Sequence, residues 1–314
     1  MSLPGGPGTM LAQNWKWYAA AGAGWTPRDG AGLVSYAGNM YMLGGWNPAQ
    51  FHGADTTNEV WCFDGSTWTN LLADVQAPVG RWYPRHTAGW VTHTYGGTNY
   101  LYVIGGDVQR LCCDVWRSTD GVSWTQMTAA AEWGNRCLHM AASYNGALYV
   151  MGGQLDLTKA TAMHDVWRST DGGATWTQLA NAGWSVRGMV YNPCVYNGKL
   201  WVCGGGTYDA ARDYYNDVWT FDGSTWTQVA ASSPWAAREY HTTLVHNGEL
   251  WVMNGYNGAN IADAWVTQNG VDWMQRPPNW TGSHADGMCS HSDGSLWAGP
   301  GNHLTANAWR IANF

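Results

Sequence analysis

Residues 133–178 read WGNRCLHMAASYNGALYVMGGQLDLTKATAMHDVWRSTDGGATWTQ, and the order of features in this stretch decides the fold. It opens on Trp133, three residues before Arg136. An alternating apolar run over Met140–Tyr144 leads into a tight turn at Asn145-Gly146. A second apolar run ends in the pair Gly152-Gly153. A variable loop follows, then Asp165 two residues before Trp167, the turn Asp171-Gly172, and Trp176 in a last short run. Apolar alternation punctuated by Asn-Gly and Asp-Gly turns predicts an antiparallel meander of four strands. No segment carries a helical period.

The same order returns along the chain. W-x-x-R recurs at Trp25/Arg28, Trp82/Arg85, Trp184/Arg187 and Trp235/Arg238, with a looser sixth copy in which Trp280 precedes His284. The second tryptophan recurs at Trp61, Trp116, Trp219, Trp265 and Trp309. An acid or amide precedes it by two in every copy: Glu59, Asp114, Asp165, Asp217, Asp263 and Asn307. The third recurs at Trp68, Trp124, Trp226 and Trp273, and its missing sixth member is Trp17, which has the spacing to Trp25 that Trp176 has to Trp184. Paired glycines recur at Gly44-Gly45, Gly105-Gly106 and Gly204-Gly205, becoming Asn254-Gly255 and Pro300-Gly301 in the last two copies. A period of about fifty residues marks a propeller or an array.

Four-stranded units repeated around an axis make a β-propeller. The last copy, ending at Trp309 and Phe314, supplies three strands, and Asn14–Ala19 with Trp17 is expected to supply the fourth. Closure of this kind leaves no edge strand unpaired. The expectation is an all-β, six-bladed propeller over residues 10–314, preceded by a flexible arm at 1–9.

The glycine pairs, the acid before the second tryptophan and the tryptophan of the last strand resemble the kelch repeat over nearly the whole chain. The chain departs from the pattern at Asn254 and Pro300, where altered loops are expected. Ser118–Trp124 and Ser169–Trp176 resemble the Asp-box turns of sialidases and other propellers. That likeness implies a local Asx-type turn and no sialidase chemistry.

Composition bounds the setting. A net charge of −7 argues against general binding to nucleic-acid phosphates. Charged residues make up 12%, and the lysines are Lys16, Lys159 and Lys199, so Asn, Thr, Ser, Gly and Asp carry solubility. No stretch approaches the ~18 apolar residues of a membrane span. The N-terminal sequence has no basic and apolar leader, which predicts synthesis in the cytoplasm. Seven scattered cysteines without C-x-x-C spacing predict neither a disulfide framework nor a zinc site. No cofactor and no metal are expected.

In a propeller the first strand of each blade lines the channel, and the loops entering it share a face with those joining strands two and three. Arg28, Arg85, Arg136, Arg187 and Arg238 are therefore expected to ring one mouth, with His284 in the sixth place. Such a ring reads either as an anion or carboxylate site or as a structural tie to a neighbouring blade. Unlike the ring, the side chains around it are asymmetric: Asp29, His86, Glu239, Tyr240, His241 and Asp286. The loops after the glycine pairs add Trp46, Asp107, Gln154, Tyr208, Asp209, Arg212, Asp213, Tyr256, Asn302 and His303. The loops Trp46–Asn58, Gln154–His164 and Gly206–Asn216 are expected to stand above the rim.

Aromatics beside amides and acids suit sugars and peptides alike. The leading expectation is a non-catalytic recognition or assembly propeller that holds a glycan or protein. Absent export and a lysine-poor surface also fit a virion component. The alternative is a sialic-acid mutarotase-like enzyme at the mouth, with Glu239, or Asp209 with Arg212, moving a proton.

Overall fold

In a computed structural model of the chain, the described residues are 16–20, 24–51, 54–107, 111–191, 193–276, 281–299, 301 and 308–312. The stretch that opened the sequence reading folds into the strands Met140–Tyr144, Ala147–Gln154, Ala162–Ser169 and Thr177–Gln178, hydrogen-bonded in that order. Tyr144 pairs with Ala147 across a turn in which Asn145 and Gly146 take φ of 47° and 74°. Two positive φ values in succession match the right-handed twist of the flanking strands.

The same four-strand order recurs from Gly32–Tyr36, Gly89–Tyr95, Cys194–Tyr196 and His241–His246, the last sheet being extended by the short parallel strand Val190–Tyr191. A further sheet joins the two ends of the chain. Met288–Ser290, Leu296–Ala298 and Ala308–Ala312 are completed by Lys16–Ala20, in antiparallel register with Trp17 opposite Ile311 and Ala19 opposite Trp309. The architecture is an all-β propeller of antiparallel sheets. Among the described residues the only helical element is a 3-10 turn at Lys159–Thr161.

The first strands pack against one another in a closed ring, with Met288–Ser290 returning to Gly32–Tyr36. They enclose a channel cavity of about 250 Å³, lined by residues such as Ser35, Val91, Ala142, Leu244 and Cys289. Two girdles tie the ring together. At one end Tyr36, Tyr144 and Tyr196 donate their hydroxyls to turn carbonyls of the next sheet, at Asn99, Gly198 and Gly248. His93, His246 and His291 stand in the same strand position and contact Ser143, Ser290 and Ser35 at 2.9, 3.0 and 3.4 Å. At the other end Gly30, Thr87, Leu138, Met189, Tyr240 and Ala285 all adopt left-handed φ of 49–59°. The Met189, Tyr240 and Ala285 N–H groups each donate to the carbonyl of the preceding member, and Gly30 closes onto Ala285 at 3.2 Å. Five of these residues carry a side chain in a region that disfavours it, so the surrounding ladder must hold them there.

The three tryptophan sets do different work. Trp25, Trp82, Trp133, Trp184 and Trp235 are fully buried. Each meets the last-strand tryptophan of its own sheet edge-on, at centroid separations from 4.2 Å (Trp184–Trp226) to 6.1 Å (Trp133–Trp176). Edge-on pairs contribute about 0.5–1.5 kcal/mol each beyond their buried area. The middle set hydrogen-bonds the acid two residues before it, as in Trp116 Nε1 to Asp114 Oδ2 at 2.7 Å. Trp124, just before the last strand of its sheet, and Trp273, at the start of its own, donate to the turn glycines Gly121 and Gly270. The turn before Trp124 is of the expected Asx type, with Asp120 Oδ1 accepting from the Val122 and Ser123 amides.

Two expectations about loops change. The region after the first glycine pair is not open loop but carries its own hairpin, Trp46–Phe51 with Ala54–Thr56. In the third and fourth copies the strands run on past the glycines, to Gln154 and Thr207, because ladder pairing continues through a bulge (Gly153 opposite Met163, Gly205 opposite Tyr215). The expected arm at 1–9 and the altered loop at Pro300 lie outside the described residues.

Candidate functional site

The repeated arginine is consumed by its own repeat. Arg28, Arg85, Arg136, Arg187 and Arg238 are buried, with 0–2% of their surface exposed. Each guanidinium meets the acid that precedes the middle tryptophan: Glu59, Asp114, Asp165, Asp217 and Asp263 respectively. The Arg85 pair is bidentate, at 2.6 and 3.0 Å, and Arg136 repeats it at 2.8 and 3.0 Å. Each arginine also donates to the carbonyl of the first residue of the glycine pair, from Gly44 to Asn254. Burial works against ionisation of Asp114, but Arg85 and Trp116 outweigh it and hold the carboxyl below its ordinary value. The result is a closed Arg–acid–Trp staple across the first three strands of one sheet. None of the five arginines lines the mouth cavity described below.

A carbonyl acceptor on a left-handed backbone is what the first glycine provides. Gly152 sits at φ 56°, and a Cβ there would lie 2.2 Å from the Arg187 carbonyl. Asn254 holds the same conformation at φ 56° in the fifth copy, and its amide reaches Asp286 at 2.8 Å. Asparagine is the side chain that best tolerates this region.

His284 is not the sixth arginine equivalent. The Gly255 amide donates to the Ser283 carbonyl, just as Gly153 donates to Arg187 and Gly205 to Arg238. Ser283 therefore holds the arginine position, and His284 holds the next one, shared with Asp29, His86, Cys137, Gly188 and Glu239. At this next position the backbone forms a two-bond bridge with the residue after the glycine pair. The bridges are Asp29–Trp46, His86–Asp107, Cys137–Gln154, Gly188–Gly206 and Glu239–Tyr256. A symmetric bracket thus presents asymmetric side chains around the axis.

On one side the bracket is filled. Leu138 and Met189 pack with Cys137, Tyr208 and Tyr240 into an apolar plug. On the other side a cavity of about 410 Å³ remains open. Asp29, His86 and His284 project into it from the bracket, Trp46 and Tyr256 from the bridging strands, Tyr208 and Arg212 from the fourth-copy loop, and Tyr240 forms part of its floor. Sequence reading named all of these; it did not separate them from the arginines that face inward.

Arg212 is the cation of the cavity. Its guanidinium lies over the Tyr208 ring at 4.2 Å and the Tyr256 ring at 5.3 Å. It is ion-paired to Glu239, which is fully buried behind it. Burial pushes the Glu239 carboxyl up to about 7 although Arg212 pulls the other way. Across the cavity, burial and then the charge of Asp286 raise Asp29 to about 7. Desolvation lowers His86 to about 4 and raises Asp107 to about 6. His284 packs between Tyr240 and Tyr256 with tilted rings, at 5.4 and 5.2 Å, and Nδ1 meets Asn260 at 2.6 Å. Of these carboxyls Asp29 lines the cavity, and Glu239 is linked to it through Arg212; perturbed groups of this kind cluster at functional sites.

Other expected site residues hold the loops. Asp209 accepts from the Lys159 amide at 2.9 Å, and Gln154 exchanges two hydrogen bonds with the Tyr208 backbone. These contacts join the third- and fourth-copy loops. His241 is a core residue bonded to the Cys203 carbonyl at 2.7 Å. Asn302 and His303 lie outside the described residues. Among the described residues no group of three His, Cys, Asp or Glu could hold a metal ion. No helix among the described residues is long and apolar enough to cross a membrane.

Sheets, glycine pairs and the acid–tryptophan pairing are those of a β-propeller whose units resemble the kelch repeat, and comparison with known proteins supports that resemblance. The chain is 27% identical over 218 residues to Kelch domain-containing protein 3 of Rattus norvegicus and of Mus musculus. It is 26% identical to the Homo sapiens protein of the same name over the same length. Each match covers 64% of this chain and 54% of the relative, so the match spans about half the length of the curated relatives. No family model matches the chain.

Proposed function

We propose that this chain is a six-bladed recognition propeller that holds a protein partner at the open half of its channel mouth. The observation that carries the reading is Arg212, clamped between two tyrosine rings, anchored from behind by Glu239 and turned toward a cavity bordered by Trp46 and His86. Aromatic rings around a fixed arginine are the residue types that dominate protein-binding hot spots. A cavity of about 410 Å³ suits a few side chains or a sugar unit. Kelch propellers as a class favour protein ligands, and a glycan is the competing occupant of the same chemistry. The six left-handed residues that girdle the axis support the blade number.

A random-peptide display library and a glycan array, run in parallel on the native protein, test this reading. The expected result is peptide enrichment that Trp46→Ala, Arg212→Gln and Tyr256→Ala each abolish. Glycan signals with the same sensitivity would move the ligand to carbohydrate. Binding indifferent to all three substitutions would remove the mouth as the site.

One observation keeps the mutarotase reading in view: Asp29 faces the cavity and titrates near neutrality. Glu239 and Asp209 do not border the cavity, so Asp29 is the carboxylate to remove. Anomer exchange of freshly dissolved N-acetylneuraminic acid, followed by NMR, is expected to proceed at its uncatalysed rate. Acceleration lost in Asp29→Asn would establish the enzyme.

A further inference from the structure

Arg212 is already neutralised from within, and this has a consequence for any anion that approaches it. Its hydrogen bond among the described residues goes to Glu239 Oε1, its guanidinium lies over the Tyr208 and Tyr256 rings, and the residue lines the cavity. Glu239 has no exposed surface, and its Oε2 has no hydrogen-bond partner. The backbone of Gly206 closes against that oxygen so tightly that a Cβ there would lie 2.9 Å away. We propose that Glu239 is an internal counter-ion that a carboxylate ligand displaces from Arg212, so that capture of the ligand transfers one proton from solvent to Glu239. This rests on the mouth being the binding site.

The neighbours of Glu239 leave it no second cation. Tyr208, Tyr214, Tyr240 and Tyr256 are phenols, which carry no positive charge in either protonation state. Arg238, next in sequence, spends its guanidinium on Asp263 and on the Ala236 and Asn254 carbonyls. Asp213, on the same loop as Arg212, faces Lys159 at 3.4 Å. An ionised carboxylate buried without its partner is strongly unfavourable, so Glu239 can release Arg212 only by becoming neutral. Burial already brings it to about 7 with Arg212 in place. Turning Arg212 toward an incoming carboxylate withdraws the one attraction that opposes burial, and the carboxyl rises further.

The sign follows from linkage. Below about pH 7 the free protein already carries the proton, and affinity is flat. Above it, each pH unit costs about tenfold in affinity, up to the value Glu239 reaches in the complex. Asp29 faces the same cavity and titrates in the same range, while His86 stays neutral there. His284 lines the cavity as well, so Asp29→Asn is made on a His284→Gln background, which isolates the Glu239 contribution.

Benzoate, an aromatic carboxylate ionised throughout this range, is titrated into this double variant between about pH 6 and pH 9, with proton uptake read calorimetrically in buffers of different ionisation enthalpy. The expected result is close to one proton taken up per benzoate at the upper end, falling to none at the lower. Adding Glu239→Gln should flatten the profile and raise affinity at the upper end at least tenfold. Binding that needs Arg212 yet takes up no proton, or uptake that persists with Glu239→Gln, would overturn the counter-ion role and leave the mouth standing. Benzoate binding unaffected by Arg212→Gln, or absent at every pH, would overturn both.

Discussion

At the scale of single residues, the same side-chain type does opposite jobs according to what its own repeat offers it. Five arginines find an acid, a glycine-pair carbonyl and burial, and become cross-braces. Arg212, outside the repeat register, finds tyrosine faces and an open cavity. Asp29 shows the cost of the asymmetric half. Its carboxyl is raised from about 3.8 to about 7, so the folded protein binds its proton more tightly than the unfolded chain does. Stability from this group is present below its ordinary value and is lost as pH rises toward 7. Asp29→Asn is therefore expected to melt higher than the native protein at pH 8 and close to it at pH 4. Equal differences at both pH values would mean that Asp29 is not desolvated as described.

At the scale of elements, the sequence was most legible where a feature repeats. Met140–Tyr144 and the Asn145-Gly146 turn could be placed to the residue, because period-two alternation and a turn needing positive φ leave one register. The partner of the repeated arginine was harder to see. Repetition locates a position on a strand but does not say which way its side chain points. One signal was available: arginine and acid occur together in five copies, and the sixth has neither, with Ser283 and Asn307 in their places. The strand at Lys16–Ala20 carries its own prediction. It covers the edge of Ala308–Ala312, so deleting residues 1–20 should lower the melting temperature and promote aggregation. Deleting 1–9 should not. Identical melting of the two truncations would mean that this pairing contributes nothing to closure.

At the scale of the whole molecule, symmetry and asymmetry divide the labour. The left-handed girdle and the Tyr/His contacts to the next sheet recur around the ring, whereas the Arg–acid–Trp staple recurs in every sheet but the one that joins the chain ends. The proposed site is the part of the mouth where the bracket holds Asp29, His86 and His284 instead of the plug. This division could not be read from spacing, since the residues lining the cavity come from five separate copies and meet only when the ring closes. The most direct test is benzoate affinity per folded molecule in two variants, Arg136→Ala and Arg212→Gln. Arg136→Ala strands Asp165 and should cost about 3–5 kcal/mol of stability, yet its folded fraction should bind as the native protein does. Arg212→Gln should melt like the native protein and lose binding. Binding lost in Arg136→Ala and kept in Arg212→Gln would contradict the account, returning the site to the arginine ring.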